Sequence, residues 1–315
     1  MVFKLAKAPK HCHFWFKFWK QLCAAGCICP HDHRRLAGTG PCCRRQRLGT
    51  LARRRKTRSA VNVGHVICVA NGSIALQVAY KALGLTGEVI TSPFSFVATS
   101  STLVWEGLTP VYGDICPASL NLDPETIAPL ITDQTSGIVP VHVYGNPCDV
   151  DAIAALAQQH QLKVVYDAAH AFGTDLHRPG QAPQSVLRAG DMSTVSFHAT
   201  KLFHTIEGGA IITDDPELAQ QVRQMINFGI TSPTSIDGLG TNAKMNEMEA
   251  AMGLCVLDDI QHIRARRASI WERYYDALNP LVTFQSWHPE SANNHAYAPI
   301  LLADEAQLLA LQAAL

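Results

Sequence analysis

No apolar run in these 315 residues reaches the eighteen or so needed to cross a bilayer, which argues against a membrane-spanning helix. Acid is nearly missing from the start of the chain. Residues 1–59 hold 15 Lys/Arg and a single acid, Asp32. Base is scarce in the remainder, where 11 Lys/Arg face 25 Asp/Glu. The formal net charge of zero therefore conceals an acidic body, which lacks the footprint of a nucleic-acid binder. After residue 43 only four cysteines occur, Cys68, Cys116, Cys148 and Cys255, in strand- or helix-like contexts. They read as buried thiols of a cytoplasmic protein, not as a disulfide framework. What is present is 47% hydrophobic and 17% charged, the balance of a soluble globular protein with one large domain and a smaller one.

The basic leader is unlike the rest. It carries His13-Phe14-Trp15-Phe16-Lys17-Phe18-Trp19-Lys20, then Cys23, Cys27, Cys29, His31 and His33, then Arg53-Arg54-Arg55-Lys56. The Cys/His spacing matches no standard zinc set, and no metal site is expected. An Arg-rich, acid-poor leader is also the composition of a transit peptide or a membrane-surface anchor. The abrupt change near Ser59–Val63 favours a third reading, a frame-shifted or mis-started segment with little order. Residues 1–62 are accordingly set apart from a large domain at 63–245 and a long helix with a small domain at 246–315.

The body alternates short apolar strands with helices of ten or so residues, the pattern of a mainly parallel α/β sheet. Strands are expected at Val66–Ala70, Glu88–Thr91, Val111–Ile115, Ile138–Tyr144, Val164–Tyr166 and Ser193–Phe197, with another after Gly208-Gly209. Helices are expected up to Gly84, at Val97–Glu106, around Pro124–Leu130, at Asp149–Gln159, at Asp215–Phe228 and from Met245 to Leu278. A strand and a helix follow His295. The long helix carries Met248, Met252, Ile260, Ile270 and Tyr274 on roughly one face, and Arg264, Arg266 and Arg267 on a solvated one. In such sheets, ligands bind at the carboxyl ends of strands.

Three features lie at strand ends. Asn71-Gly72-Ser73 opens a helix and is either an anion site made of free N–H groups or an ordinary cap. Asp167 ends an apolar strand before Ala168-Ala169-His170. It is either a helix cap or a carboxylate awaiting a cation, for which a heterocyclic N–H⁺ is suitable. Lys201, in Ser196-Phe197-His198-Ala199-Thr200-Lys201, is the one Lys or Arg between Arg188 and Arg223. Either it is a solvated surface charge, or its apolar surroundings lower its pKa and make it a nucleophile able to form a Schiff base with an aldehyde.

In order, Asn71 to Leu76, Pro93 to Thr99, Val141 to Pro147, Asp167 to His170, Ser196 to Lys201 and Gly240 to Met245 resemble the DegT/DnrJ/EryC1/StrS sugar aminotransferases over residues 63–300. The Ser-Phe-His-Ala-Thr-Lys form looks most like the branch that forms nucleotide-linked 4-amino-4,6-dideoxyglucose. The resemblance implies pyridoxal-phosphate fold type I, with a large, mainly parallel sheet sandwiched by helices and a small, incomplete C-terminal α+β domain. It implies pyridoxal 5′-phosphate bound through Lys201, with Asp167 on the ring nitrogen, Phe96 on the ring face and His170 beside it. Gly72, Ser73, Ile74 and Ser196 would hold the phosphate. Asn227 would reach the cofactor of a partner subunit in a homodimer. Glutamate and a nucleotide-linked 4-keto-6-deoxyhexose would be the substrates. A dehydratase of the same family would carry histidine in place of Lys201. A catalytically impaired or regulatory cofactor-binding remnant is the alternative, suggested by the leader and by the missing end of the small domain.

Limited proteolysis should cut first among Arg44 to Arg58 and leave a fragment beginning near Ser59 that keeps the ligand binding of the full chain. A protease-resistant core containing Trp15 and Trp19 would instead show an ordered leader.

Overall fold

A computed structural model describes residues 62–315, so the expectations for the leader lie outside the described residues. The chain forms β1 (His65–Val69), α1 (Gly72–Ala82), β2 (Glu88–Thr91), α2 (Val97–Trp105), β3 (Thr109–Tyr112), β4 (Thr135–Val139), α3 (Val150–His160) and β5 (Lys163–Asp167). A small ribbon of β6 (Asp175–Leu176) and β7 (Gln184–Ser185) precedes β8 (Met192–Ser196), β9 (Gly209–Thr213) and α4 (Pro216–Met225). Then come the hairpin β10 (Ile230–Ser232) and β11 (Ser235–Ile236) and the long helix α5 (Glu247–Leu278). A final pair, β12 (Thr283–Phe284) and β13 (Ile300–Leu301), is followed by α6 (Glu305–Ala314).

Seven strands make one sheet in the order β1-β9-β8-β5-β4-β2-β3. Neighbours from β8 to β3 run parallel, whereas β9 is antiparallel to both β8 and β1. Both faces are covered, and residues alternate between two cores. Val66, Cys68, Ala210 and Ile212 join one, with Ile153 of α3 and Ala250 to Ile260 of α5. Ile67, Val69 and Ile211 join the other, with α1 and with Ala219 and Val222 of α4. Burial on both faces explains why these strands read as unbroken apolar runs.

Several boundaries differ from the sequence reading. The strand expected to reach Tyr144 ends at Val139, because Pro140 has no N–H to give; a single bridge from Val141 to Asp167 continues it, and Tyr144 then turns at φ 57°. The helix around Pro124–Leu130 is two 3-10 turns, Pro124–Thr126 and Ala128–Leu130, each with a proline in its first turn. α4 stops at Met225, before the Asn227-Phe228-Gly229 expected to end it. α5 starts at a capping box, in which the Asn246 side chain accepts from the N–H groups of Met248 and Glu249 and the Glu249 carboxylate accepts from Asn246 N–H. Its buried residues fall between Ala250 and Ile260; Met248, Ile270 and Tyr274 are exposed. Nor are all its arginines solvated, since Arg264 donates to Gly173 O and Arg267 to Ala296 O. Cys116 is half-exposed, while the other three cysteines of the body are buried. Among the described residues, no helix is long and apolar enough to cross a membrane.

Gly209 shows how tightly β9 seats α1. A Cβ there would lie 2.7 Å from the backbone C and O of Asn71 and 2.8 Å from Gly72 N. Backbone cannot step aside as a side chain can, so Gly209→Ala should cost about 1–3 kcal/mol in urea unfolding. An unchanged midpoint would show that the α1 terminus is free to move.

Candidate active site

The sheet topology gathers the site. Parallel strands β5 and β8 bring Asp167 and Ser196 to the same edge, and β1 delivers Asn71-Gly72-Ser73 there through its turn into α1. The resulting cavity of about 300 Å³ is lined by Gly72, Ser73, Phe96, Asp167, His170, Ser196 and Lys201, among others.

At one end is the N-terminus of α1. Asn71 caps it by accepting from Ile74 N–H at 2.9 Å, which leaves the N–H groups of Gly72 and Ser73 outside the helix's own bonding. The helix dipole adds to their attraction for an anion. Gly72 packs so closely that a Cβ would lie 2.9 Å from Ser196 Cβ. The lack of a side chain at Gly72 thus brings two hydroxyl residues and a helix terminus around one small space.

At the inner end lies Asp167, buried at the end of β5. Its Oδ2 accepts from the Thr99 hydroxyl at 2.8 Å and its Oδ1 from Ala169 N–H at 3.1 Å. Burial pushes its carboxyl above the ordinary value; the Thr99 and Ala169 bonds and the charge of Lys201 pull the other way without cancelling it. Burial likewise lowers the Lys201 amine, opposed by Asp167. His170 is pushed down to about 3 by burial and then by Lys201, so it is neutral across the physiological range. Its buried Nδ1 has no hydrogen-bond partner.

Two residues from the sequence reading are not in this cavity. The N–H of Ile74 is taken by Asn71, and its side chain packs against the core. Asn227 pairs with Asn242 and accepts from Lys244 Nζ at 2.9 Å. Phe96 sits at the mouth, 73% exposed. Sequence reasoning missed Thr99, whose place as the third residue of a helix-like run gave no sign of a buried carboxylate partner. It also missed His198 and Glu207, which line the cavity with their side chains 3.5 Å apart, and Tyr297, whose hydroxyl is 3.4 Å from Lys201 Nζ. Only the fold brings Tyr297 close.

An amine, a desolvated carboxylate and an anion-accepting helix terminus in one cavity suit a ligand that is at once anionic at one end, cationic at the other and reactive toward amines. The orphaned His170 Nδ1, the cradle at Gly72 and the donor set all fit a phosphorylated pyridine aldehyde. Comparison with known proteins agrees with this chemistry. The DegT/DnrJ/EryC1/StrS aminotransferase family matches residues 54–315, and the chain belongs to that family. It is 43% identical over 247 residues to the dTDP-4-amino-4,6-dideoxy-D-glucose transaminase of Shigella dysenteriae, a match covering 78% of this chain and 66% of that protein. The Escherichia coli protein of the same description is 38% identical over 246 residues, covering 78% and 65%. These matches span just under two thirds of each relative. Among solved structures, DesI determined with its TDP-sugar product superposes with TM-score 0.79 at 36% identity, over 93% of this chain and 70% of that one. NtdA of Bacillus subtilis with bound cofactor PMP gives 0.79 at 25% identity, over 98% and 70%. The fold is the α/β fold of these pyridoxal-phosphate-type aminotransferases.

The raised Asp167 carboxyl has a consequence for stability. Its favourable contribution is fully present below the ordinary value of 3.8 and is lost as pH rises through the folded-state value. Asp167→Asn carries no charge to desolvate. It should therefore raise the melting temperature of the cofactor-free chain near neutral pH, with the gain shrinking as pH falls toward 3.8. A gain that is constant with pH would exclude desolvation as its cause.

Proposed function

We propose that the chain binds pyridoxal 5′-phosphate in this cavity and moves an amino group from glutamate to the keto carbon of a nucleotide-linked 4-keto-6-deoxyhexose. The observation that carries this reading is the placement of Lys201 and Asp167 in one cavity with the α1 terminus. The names of the Shigella and Escherichia relatives and of DesI support the sugar substrate. When bound, the cofactor supplies an electron sink that lets an amino group leave one substrate and join another.

The residues divide that work. Gly72 and Ser73 N–H groups, with the Ser73 and Ser196 hydroxyls, receive the phosphate. Asp167 offers a carboxylate to a ring cation, and that pairing offsets its desolvation. Lys201 supplies the amine that holds the aldehyde; lowered by burial, it gives up a proton readily and can return one to the reacting carbon. Neutral His170 would border the ring without adding charge, and Phe96, at the mouth, would cover it. A domain division at residues 245 and 246 would leave the phosphate-, ring- and aldehyde-binding residues named here in the first part.

The acting unit is proposed to be a homodimer. Phe94, Phe96, Val97, Val104, Trp105 and Tyr112 are all exposed around α2, which bears no charged residue along Val97–Trp105. A second copy would cover this face. Asn227, outside its own chain's cavity, would then be available to the neighbouring one.

Purified protein should be yellow, and borohydride should fix the cofactor on the peptide containing Lys201. Lys201→Ala should abolish the label; label on Lys244 or Lys163 instead would overturn the assignment. With glutamate and the keto sugar, Asp167→Asn should lower half-reaction rates by orders of magnitude while the borohydride label remains.

A further inference from the structure

We propose that Tyr297 is the residue that positions the Lys201 amine. The inference rests on the reading of Lys201 as the group that holds the aldehyde, and deepens it. Lys201 Nζ donates to Tyr297 Oη at 3.4 Å. The Tyr297 ring sits 4.6 Å from the His170 ring and 5.5 Å from that of Tyr144. It is therefore wedged among side chains of the cavity wall and its surroundings, and its hydroxyl reaches the reactive amine.

The backbone before Tyr297 is fastened from both sides. Asn294, buried, donates through Nδ2 to His170 O at 2.8 Å and to Thr174 Oγ1 at 3.0 Å, and its Oδ1 accepts Ala296 N–H at 3.0 Å. The Ala296 carbonyl accepts from Arg267 of α5 at 3.0 Å. Both polar groups of the residue preceding Tyr297 are thus committed. The seat for Asn294 also requires Gly145, at φ +92°, where a Cβ would lie 2.6 Å from Asn294 Nδ2. Two loops and a helix far apart in the chain converge to hold one phenol.

A lysine side chain has high rotamer entropy, and an amine that must meet a planar aldehyde in one orientation gains from being held. An N–H given to Tyr297 leaves the lone pair of the neutral amine to face the cavity. The phenol keeps its own proton, because burial holds it above its ordinary value despite Arg267 behind it. The other titratable groups around Lys201 are Asp167 on β5, His170 after it, and His198 and Glu207 on the cavity wall; Tyr144 lies beside Tyr297. None of these changes in Tyr297→Phe, which keeps the ring and removes only the oxygen.

The test compares wild type and Tyr297→Phe, both full-length and stripped of cofactor, by mass spectrometry of the Lys201 peptide. Formaldehyde with cyanoborohydride, a small reagent indifferent to orientation, reports the pH midpoint of the amine. Because the phenol oxygen accepts from the ammonium and favours its charged form, the midpoint should move to lower pH in the variant. Pyridoxal 5′-phosphate trapped with borohydride reports orientation; above the midpoint its rate should fall about tenfold or more. Competition by inorganic phosphate should be unchanged. An unaltered midpoint and an unaltered trapping rate would overturn the proposal, as would parallel loss of phosphate competition, which marks general structural damage. If the wild type itself took no label at Lys201, the proposed function would fail instead.

Discussion

The desolvated carboxylate of Asp167 sets the terms for the rest of the site. It lies at the end of a central strand, flanked by β4 and β8, where water cannot reach it freely, and its two oxygens receive only a hydroxyl and a peptide N–H. In such surroundings a charge is costly when alone and strong when paired. The nearby groups do little to relieve it. Lys201 is itself pushed toward neutrality, and His170 is held neutral. The cavity is thus arranged so that a cation brought by a ligand gains more there than in water. On the proposed reading, such a site would store instability in the chain without its ligand and release it on binding, a common exchange of stability for function.

Much of this could be read from the sequence because it rests on local chemistry. The strand before Asp167, the Asn-Gly-Ser opening of α1 and the isolation of Lys201 are visible within windows of ten residues. The alternation of strands and helices was enough for a mainly parallel sheet. What escaped depended on distance along the chain. Thr99 meets Asp167 only because α2 packs where it does, and Tyr297 meets Lys201 only because Asn294 and Arg267 fasten the segment before it. Boundary errors had simpler causes. A β-rich run across Pro140 concealed the missing donor, and prolines 124 and 129 shortened what looked like one helix into two turns. The apolar residues placed on one face of α5 do not share one environment: burial runs from Ala250 to Ile260, and Ile270 and Tyr274 are exposed.

The antiparallel strand β9 has a consequence for how the site comes into being. Among the described residues, β1 pairs into the sheet only through β9, matching His65 with Thr213 and Val69 with Gly209. β1, the first of the described strands, must therefore wait for one made some 140 residues later before it has a sheet partner. Contacts of such long range form slowly, and a ribosome adds residues at roughly 5–20 per second. The turn at Asn71-Gly72, although encoded early, gains its place against Gly209 only after most of the sheet exists. During synthesis, β1 and the start of α1 are thus an apolar segment without a home for several seconds, the interval in which a chaperone or an aggregate would find it.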